Sequence, residues 1–280
     1  MDFILFLIYL FIFILGLCVG SFLNCVIYRL ETGKSLKGRS FCPKCKKQLK
    51  WTDLIPVFSF LFLCGKCKYC KEKISLQYPI VEISTATIFL MVFNIIPNLI
   101  GNPEYYHLIP AFAVMTEWIM VMAFYFYIAS VMIVIFVYDL KHYEIPDKIL
   151  IPAIIATAIY DIFILCQPFS LICSINYIFA ALIGSGFFLS IFLISKGLWM
   201  GFGDVKFAIL MGLLLGFPNI LLALFLSFFF GAIIGIILMV FKKKGIKSEI
   251  PFAPFLIIGT FLTVFWGEQI MSWYLSLIYF

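Results

Sequence analysis

Two aspartates stand where acids are costly to keep. Asp139 ends a long apolar run, in Val137-Tyr138-Asp139-Leu140-Lys141, and Asp204 follows two glycines in Gly201-Phe202-Gly203-Asp204-Val205-Lys206. Acids in or at the edge of a membrane are expensive and mark functional positions. Two carboxyls held close cannot both ionise, so one pKa rises and the other falls. One then deprotonates a water while the other protonates or polarises a carbonyl. The apparent pKa values belong to the pair. Taken alone, Gly-x-Gly-Asp is a weak motif. It also spells an ordinary turn with an N-cap aspartate, or two glycines that let backbone approach a substrate.

Four other acids are candidates. Asp147 follows Pro146, and a Pro with an acid beside it suits a helix N-terminus, so Asp147 is as well read as a cap as a chemical group. Glu82 either faces the same site or snorkels to the surface. Glu117 and Asp161 fall near the opposite face by the topology below and are poor candidates for chemistry.

A second constellation is Cys42-x2-Cys45, 21 residues, then Cys67-x2-Cys70. Two such knuckles at this spacing read as a tetrathiolate zinc site. Lys44, Lys46, Lys66 and Lys68 favour thiolates and offset the charge of four of them. Cys64 could compete, but Gly65 and the symmetric spacing favour Cys67 and Cys70. Four protein ligands leave no open position, so the expected role of Zn2+ is structural. It would fold a loop with too few apolar residues to fold alone. Cys18, Cys25, Cys166 and Cys173 lie in or beside apolar runs and read as packing residues.

The elements that must position these groups are membrane helices. Of 280 residues 64% are hydrophobic and 12% charged, against about half and a quarter in soluble domains. Apolar runs at about 3–28, 79–100, 110–138, 149–166, 171–195, 205–217, 219–241 and 253–280 predict an all-α polytopic membrane protein of about eight spans. The sixth run is short, and its standing as a full span is the weakest of these assignments. The first run has no basic residue before it and no small-residue cleavage site, which predicts a retained helix.

The basic residues orient the spans. The segment Arg29–Tyr78 holds 12 of the 20 Lys and Arg, and the rest fall at Lys141 and Lys148, Lys196 and Lys206, and Lys242, Lys243, Lys244 and Lys247. The connections near 101–108, 167–170 and 218 have none. This strict alternation places the basic loops in the cytosol and both termini outside. Asp139 and Asp204 then sit at cytosolic helix ends, on one face. The net charge of +6 is explained by orientation and does not require nucleic acid. The expected organisation is a helix over 1–28, a cytosolic zinc loop over 29–78, and a helical domain over 79–280.

The motifs together resemble the bacterial type IV prepilin peptidases, the Gly-x-Gly-Asp membrane proteases that cleave and N-methylate pilin-like proteins. Gly20-Ser21-Phe22-Leu23-Asn24-Cys25-Val26-Ile27-Tyr28-Arg29-Leu30 is similar to the family's first-helix signature. The two CxxC pairs match its zinc loop, followed by Asp53-Leu54-Ile55-Pro56 and by Ile74-Ser75 through Tyr78-Pro79 to Val81-Glu82. Asp139 through Pro146-Asp147, Gly201–Asp204 with Lys206, and Pro251-Phe252-Ala253-Pro254-Phe255 complete the likeness over nearly the whole chain. Leu54 and Ala253 stand where asparagine and glycine are common in the family. The resemblance implies Asp139 and Asp204 as the catalytic pair, which selects Asp139 over Asp147. It implies as substrates type IV prepilin or pseudopilin precursors with a short basic leader, cut after a glycine at the cytosolic face of the bacterial inner membrane. It implies S-adenosylmethionine as methyl donor. No cofactor fingerprint marks that site; Asn24, Asp53 and Glu82 are candidates, with a helix–helix hydrogen bond the plainer role for Asn24.

Two other readings compete. One is a monofunctional membrane aspartyl peptidase whose zinc loop only recognises substrate. The other is a proton-coupled small transporter, disfavoured because transport needs polar groups near mid-membrane. A protease of the presenilin kind shares Gly-x-Gly-Asp but not the zinc loop.

Overall fold

A computed structural model describes residues 3–100, 111–166, 171–241 and 250–278. The connections at 101–108 and 167–170 and the basic run at Lys242, Lys243, Lys244 and Lys247 lie outside the described residues. Among the described residues there is no strand, only two isolated antiparallel bridges, Phe41 with Gln48 and Lys66 with Lys73.

The helices are α1 (Phe3–Glu31), α2 (Phe58–Phe62), α3 (Gln77–Ile100), α4 (Ala111–His142), α5 (Asp147–Tyr160), α6 (Leu171–Ser195), α7 (Phe202–Leu215), α8 (Asn219–Val240) and α9 (Ala253–Ile278). A 3-10 turn spans Trp51–Leu54, and α5 runs on into a π-turn at Asp161–Leu165. Seven of these helices are long and apolar enough to cross a membrane. The remaining apolar run, the sixth, is α7. Its 14 residues span about 21 Å, short of the roughly 30 Å hydrocarbon core. It packs against α5, α6, α8 and α9 and buries Asp204, Phe207, Leu210 and Met211. Its apolarity therefore comes from protein on all sides, which reads like lipid exposure in a hydropathy count.

Contacts divide the chain into two units, Met1–Val134 and Ile135–Phe280, with the boundary inside α4. In the first, α1 packs on α3. A Cβ on Gly16 would sit 2.5 Å from Ala86 Cα, and one on Gly20 would sit 2.6 Å from Glu82 Cα. Small residues four apart let two membrane helices touch backbone to backbone. Phe89 of α3 stacks on Phe126 of α4 at 4.0 Å. In the second unit, α6 lies along α7, α8 along α9, and α5 against α7.

One expectation about the cysteines is corrected. Cys166 and Cys173 are not packing residues but form a disulfide, with Cα atoms 5.6 Å apart. It joins the end of the α5 π-turn to the first turn of α6. Two cysteines flanking a short connection between antiparallel spans meet this distance readily. Cys18 and Cys25 on α1 are free.

Candidate active site

Asp139 lies near the C-terminus of α4. The Tyr143 N–H closes on the Asp139 carbonyl at 2.9 Å, and Tyr143 takes a left-handed φ of 58°. The chain leaves the helix there and runs extended through Pro146, the N-cap of α5. Asp204 is the third residue of α7, behind the N-cap Gly201. Its carboxyl accepts the Gly201 N–H, which is half of a capping box.

Two contacts bring these segments together. A Cβ on Gly203 would lie 3.2 Å from Ile145 Cβ, so a larger residue would push the first turn of α7 off the link that follows Asp139 by a few tenths of an ångström. The motif's close approach is thus to its own chain. The second contact is Lys206, whose Nζ lies 2.8 Å from both Asp147 oxygens. Asp147 opens α5 as expected, but its side chain makes no cap; it is held by Lys206 instead.

Both Asp139 and Asp204 are buried, 4% and 9% exposed, and close enough for the charge of one to act on the other. Asp139 accepts the backbone N–H of Ala253. That donor is one of the groups a helix N-terminus leaves without an intrahelical partner, here the start of α9. Among the described residues Asp139 Oδ2 has no hydrogen-bond partner. A desolvated carboxylate oxygen with open lone pairs, beside a second carboxyl, is chemically able to hold and activate a water. The Pro251–Phe255 motif does not by itself name Ala253 as this donor. Asp161 is also buried, with Oδ2 unpartnered, but it lies about 21 Å along α5 from Asp147 and takes no part in this pair. Glu117, half-buried in the second turn of α4, belongs to the first unit.

The first unit holds the cysteines. The Sγ atoms of Cys42, Cys45, Cys67 and Cys70 all lie within 4.8 Å of one another, with Cys42 to Cys70 at 4.0 Å. Tetrahedral zinc with bonds of about 2.3 Å sets sulfurs about 3.8 Å apart, so the four fit the metal. The knuckles repeat one construction. Cys42 N–H bonds the Lys47 carbonyl and Lys46 N–H the Cys42 carbonyl; Cys67 N–H bonds the Glu72 carbonyl and Lys71 N–H the Cys67 carbonyl. Lys46 and Lys71 occupy the same left-handed corner, at φ 60° and 61°. The backbone N–H groups of Cys70 and Tyr69 draw the Cys67 thiol down to about 7. Cys64 is exposed and outside the cluster.

The candidates for the methyl donor have partners of their own. Asn24 donates to the Gly20 and Tyr78 carbonyls, and its Oδ1 accepts from Gln77, tying α1 to α3. Asp53 accepts from the Lys50 N–H and the Tyr69 hydroxyl, with Lys68 at 3.7 Å. Burial opposes its ionisation, but these donors and the Lys68 charge outweigh it and hold the carboxyl below the usual range. Glu82 accepts the Val57 N–H at 2.7 Å and the Ser21 hydroxyl. A cavity beside Asp53, lined by Thr52, Phe58, Phe62 and Lys68 among others, holds about 160 Å³. Sites that enclose a ligand of that size need roughly 300 Å³ or more. The cavity beside Asp53 is smaller than that, and neither Asn24 nor Glu82 lines it.

Comparison with known proteins bears on both units. Residues 14–96 match the family described as the Bacterial Peptidase A24 N-terminal domain, and residues 126–236 match the Type IV leader peptidase family. Proteins named prepilin leader peptidase/N-methyltransferase are similar over nearly full length. The one from Legionella pneumophila is 28% identical over 96% of this chain and 94% of its own. That of Pseudomonas aeruginosa is 27% identical over 94% and 92%. That of Bacillus subtilis is 30% identical over 95% of this chain and 97% of its own. No solved structure matches. With the two family segments falling in order on the thiolate loop and on the helices that carry both aspartates, and with a relative alike from end to end, the chain belongs to the type IV leader peptidase family.

Proposed function

We propose that this protein removes the short basic leader from type IV prepilin or pseudopilin precursors, cutting after a glycine at the cytosolic membrane face, and then methylates the new amino terminus. The observation that carries the peptidase half is the meeting of two buried carboxyls, Asp139 fixed by the Ala253 N–H and Asp204 by the Gly201 N–H. In this reading a water sits on Asp139 Oδ2, between the pair. The ionised carboxylate takes a proton from the water as its oxygen bonds to the scissile carbonyl carbon. The protonated carboxyl donates to the carbonyl oxygen. The C–N bond then breaks, the proton taken from water leaves with the amine, and one hydroxyl proton of the intermediate returns to the second carboxylate as the acid product forms. A precursor anchored by its own helix brings its leader to the same surface, so the encounter is local.

With α7 counted as the buried return between α6 and α8, the alternation of basic loops supports a cytosolic site with both termini outside. The Cys166–Cys173 disulfide fits this, because disulfides persist outside the cytosol and this one joins a connection assigned there. Residues 29–78 are read as the zinc-folded loop and 79–280 as the peptidase helices, with α3 also packing on α1. S-adenosylmethionine would supply the methyl group, and no residue set is assigned to it. Asn24 ties α1 to α3 while Asp53 and Glu82 hold the loop, so none of them is assigned to the methyl donor; the second reading is a monofunctional peptidase.

The test is cleavage of a pilin-like precursor by purified protein, with mass spectrometry of the product. A cut after glycine, lost in Asp139→Asn and Asp204→Asn, is the expected result. Full activity in either variant would refute the pair. A product that gains one methyl group only when S-adenosylmethionine is added separates the bifunctional from the monofunctional reading.

A further inference from the structure

The loop between α1 and α3 carries a ridge of large apolar side chains. Trp51 is 78% exposed, Phe62 83%, Leu61 62% and Phe58 56%, with Leu54 and Ile55 beside them. Scattered exposed apolar residues are ordinary. Six within the twelve residues of the 3-10 turn and α2 form a patch, and a patch of that kind marks an interaction surface.

The depth of this ridge is set by one hydrogen bond. Glu82 is the sixth residue of α3, about 8 Å along a helix that begins as a candidate span at Gln77. Its carboxylate accepts the Val57 N–H at 2.7 Å. Val57 sits at φ 60°, a conformation a β-branched residue rarely adopts, and it turns the chain from the 3-10 turn into α2. The headgroup zone of a leaflet is roughly 5–8 Å thick. With Gln77 taken at the aqueous edge of the headgroup zone, the bond ties the ridge to the level where headgroups meet acyl chains.

Charge names the occupant. Residues 29–78 contain twelve basic and three acidic residues. Lys50 directly precedes the ridge, and Lys66 and Lys68 follow it. Such a surface repels a basic peptide and attracts anionic lipid. Tryptophan and phenylalanine flanked by lysines are the composition of segments that lie in the interface plane.

We propose that residues 51–62 are an interfacial anchor, with Trp51, Phe58 and Phe62 seated at the headgroup–acyl boundary of an anionic leaflet and the flanking lysines on its headgroups. The anchor does not depend on which activity the aspartates carry.

The test uses the full chain with the other four tryptophans replaced by phenylalanine, reconstituted in vesicles of phosphatidylglycerol and phosphatidylcholine. Trp51 fluorescence is expected to be quenched by acyl-brominated phosphatidylcholine and protected from aqueous iodide, with no precursor present. Phe62→Asp should reverse both while zinc content, as the fold check, is unchanged. Replacing phosphatidylglycerol by phosphatidylcholine should weaken acyl quenching at least about twofold. Iodide quenching as complete as in the denatured chain would overturn the proposal. So would protection that appears only after a precursor is added, since the ridge would then be a peptide site. Quenching that ignores phosphatidylglycerol would overturn the anionic part.

Discussion

Lys206 holds both oxygens of Asp147 at 2.8 Å, and by doing so it joins the first turn of α7 to the first turn of α5. Two residues upstream of Lys206, the Asp204 carboxyl turns the other way, into the core. Asp147 is half-exposed with both oxygens on one ammonium, whereas Asp139 is buried and keeps Oδ2 without a partner among the described residues. The ion pair thus favours Asp139 over Asp147 as the partner of Asp204 and gives Asp147 a positioning role.

That role has a limited size. Asp147 is 52% exposed and Lys206 29%, and ion pairs this open to water contribute about 0–1 kcal/mol. Asp147→Asn or Lys206→Met should slow cleavage by no more than about tenfold. The double variant should be no slower than the worse single one, because both remove the same pair. Steady-state cleavage by the three variants checks this. A loss in Asp147→Asn as deep as in Asp204→Asn would put Asp147 in the chemistry.

Asp139→Asn and Asp204→Asn keep shape and remove the charge and the shareable proton. Each should lower cleavage by about 10³-fold or more, and the double variant should fall no further, since groups acting as a unit are not additive. Thermal melts of the variants should stay near or above the parent, because an amide is cheaper to bury than a lone carboxylate. Additive losses would mean that the two do not share a step.

The four-thiolate cluster was legible because ligand spacing is local: two residues between thiols dictate a knuckle wherever the chain lies. The long spans were legible because about twenty apolar residues admit little else. Helix α7 was harder, since a short helix buried by protein and one crossing lipid have the same composition. The Ala253 N–H was not legible at all, because a backbone donor carries no residue signature. Nor was the Cys166–Cys173 bond, since cysteines beside apolar runs serve packing as readily. The glycines of Gly-x-Gly-Asp announced a close approach, but not that Ile145 is what approaches.

Gly203→Ala tests that approach. Its new Cβ would meet Ile145 Cβ at 3.2 Å and Cγ1 and Cδ1 at 3.4 Å. Overpacking of this sort costs about 1–3 kcal/mol, and a misplaced Asp204 should lower cleavage by about ten- to a hundredfold. Ile145→Ala removes two of the three clashing atoms, so the double variant should recover part of the loss. Cleavage rates over the double-mutant cycle read the coupling. Independent effects would show that Ile145 is not the neighbour that makes position 203 a glycine.

Metal content separates the four clustered thiols from the one beside them. Purified protein should carry about one zinc per chain, and Cys42→Ser or Cys70→Ser should lose most of it, since a structural site needs all four ligands. Cys64→Ser should bind zinc as the parent does, because Cys64 lies outside the cluster although it is only three residues from Cys67. Strong chelation should open residues 29–78 to trypsin, which has twelve basic residues to cut there, because binding energy of about 10–16 kcal/mol is also folding energy for such a loop. The helices of Ile135–Phe280 should stay uncut, since they have a core of their own. Elemental analysis and a peptide map read both outcomes. Zinc loss in Cys64→Ser equal to that in Cys42→Ser would break the ligand assignment, and a tryptic pattern indifferent to chelation would remove the metal's role in folding the loop.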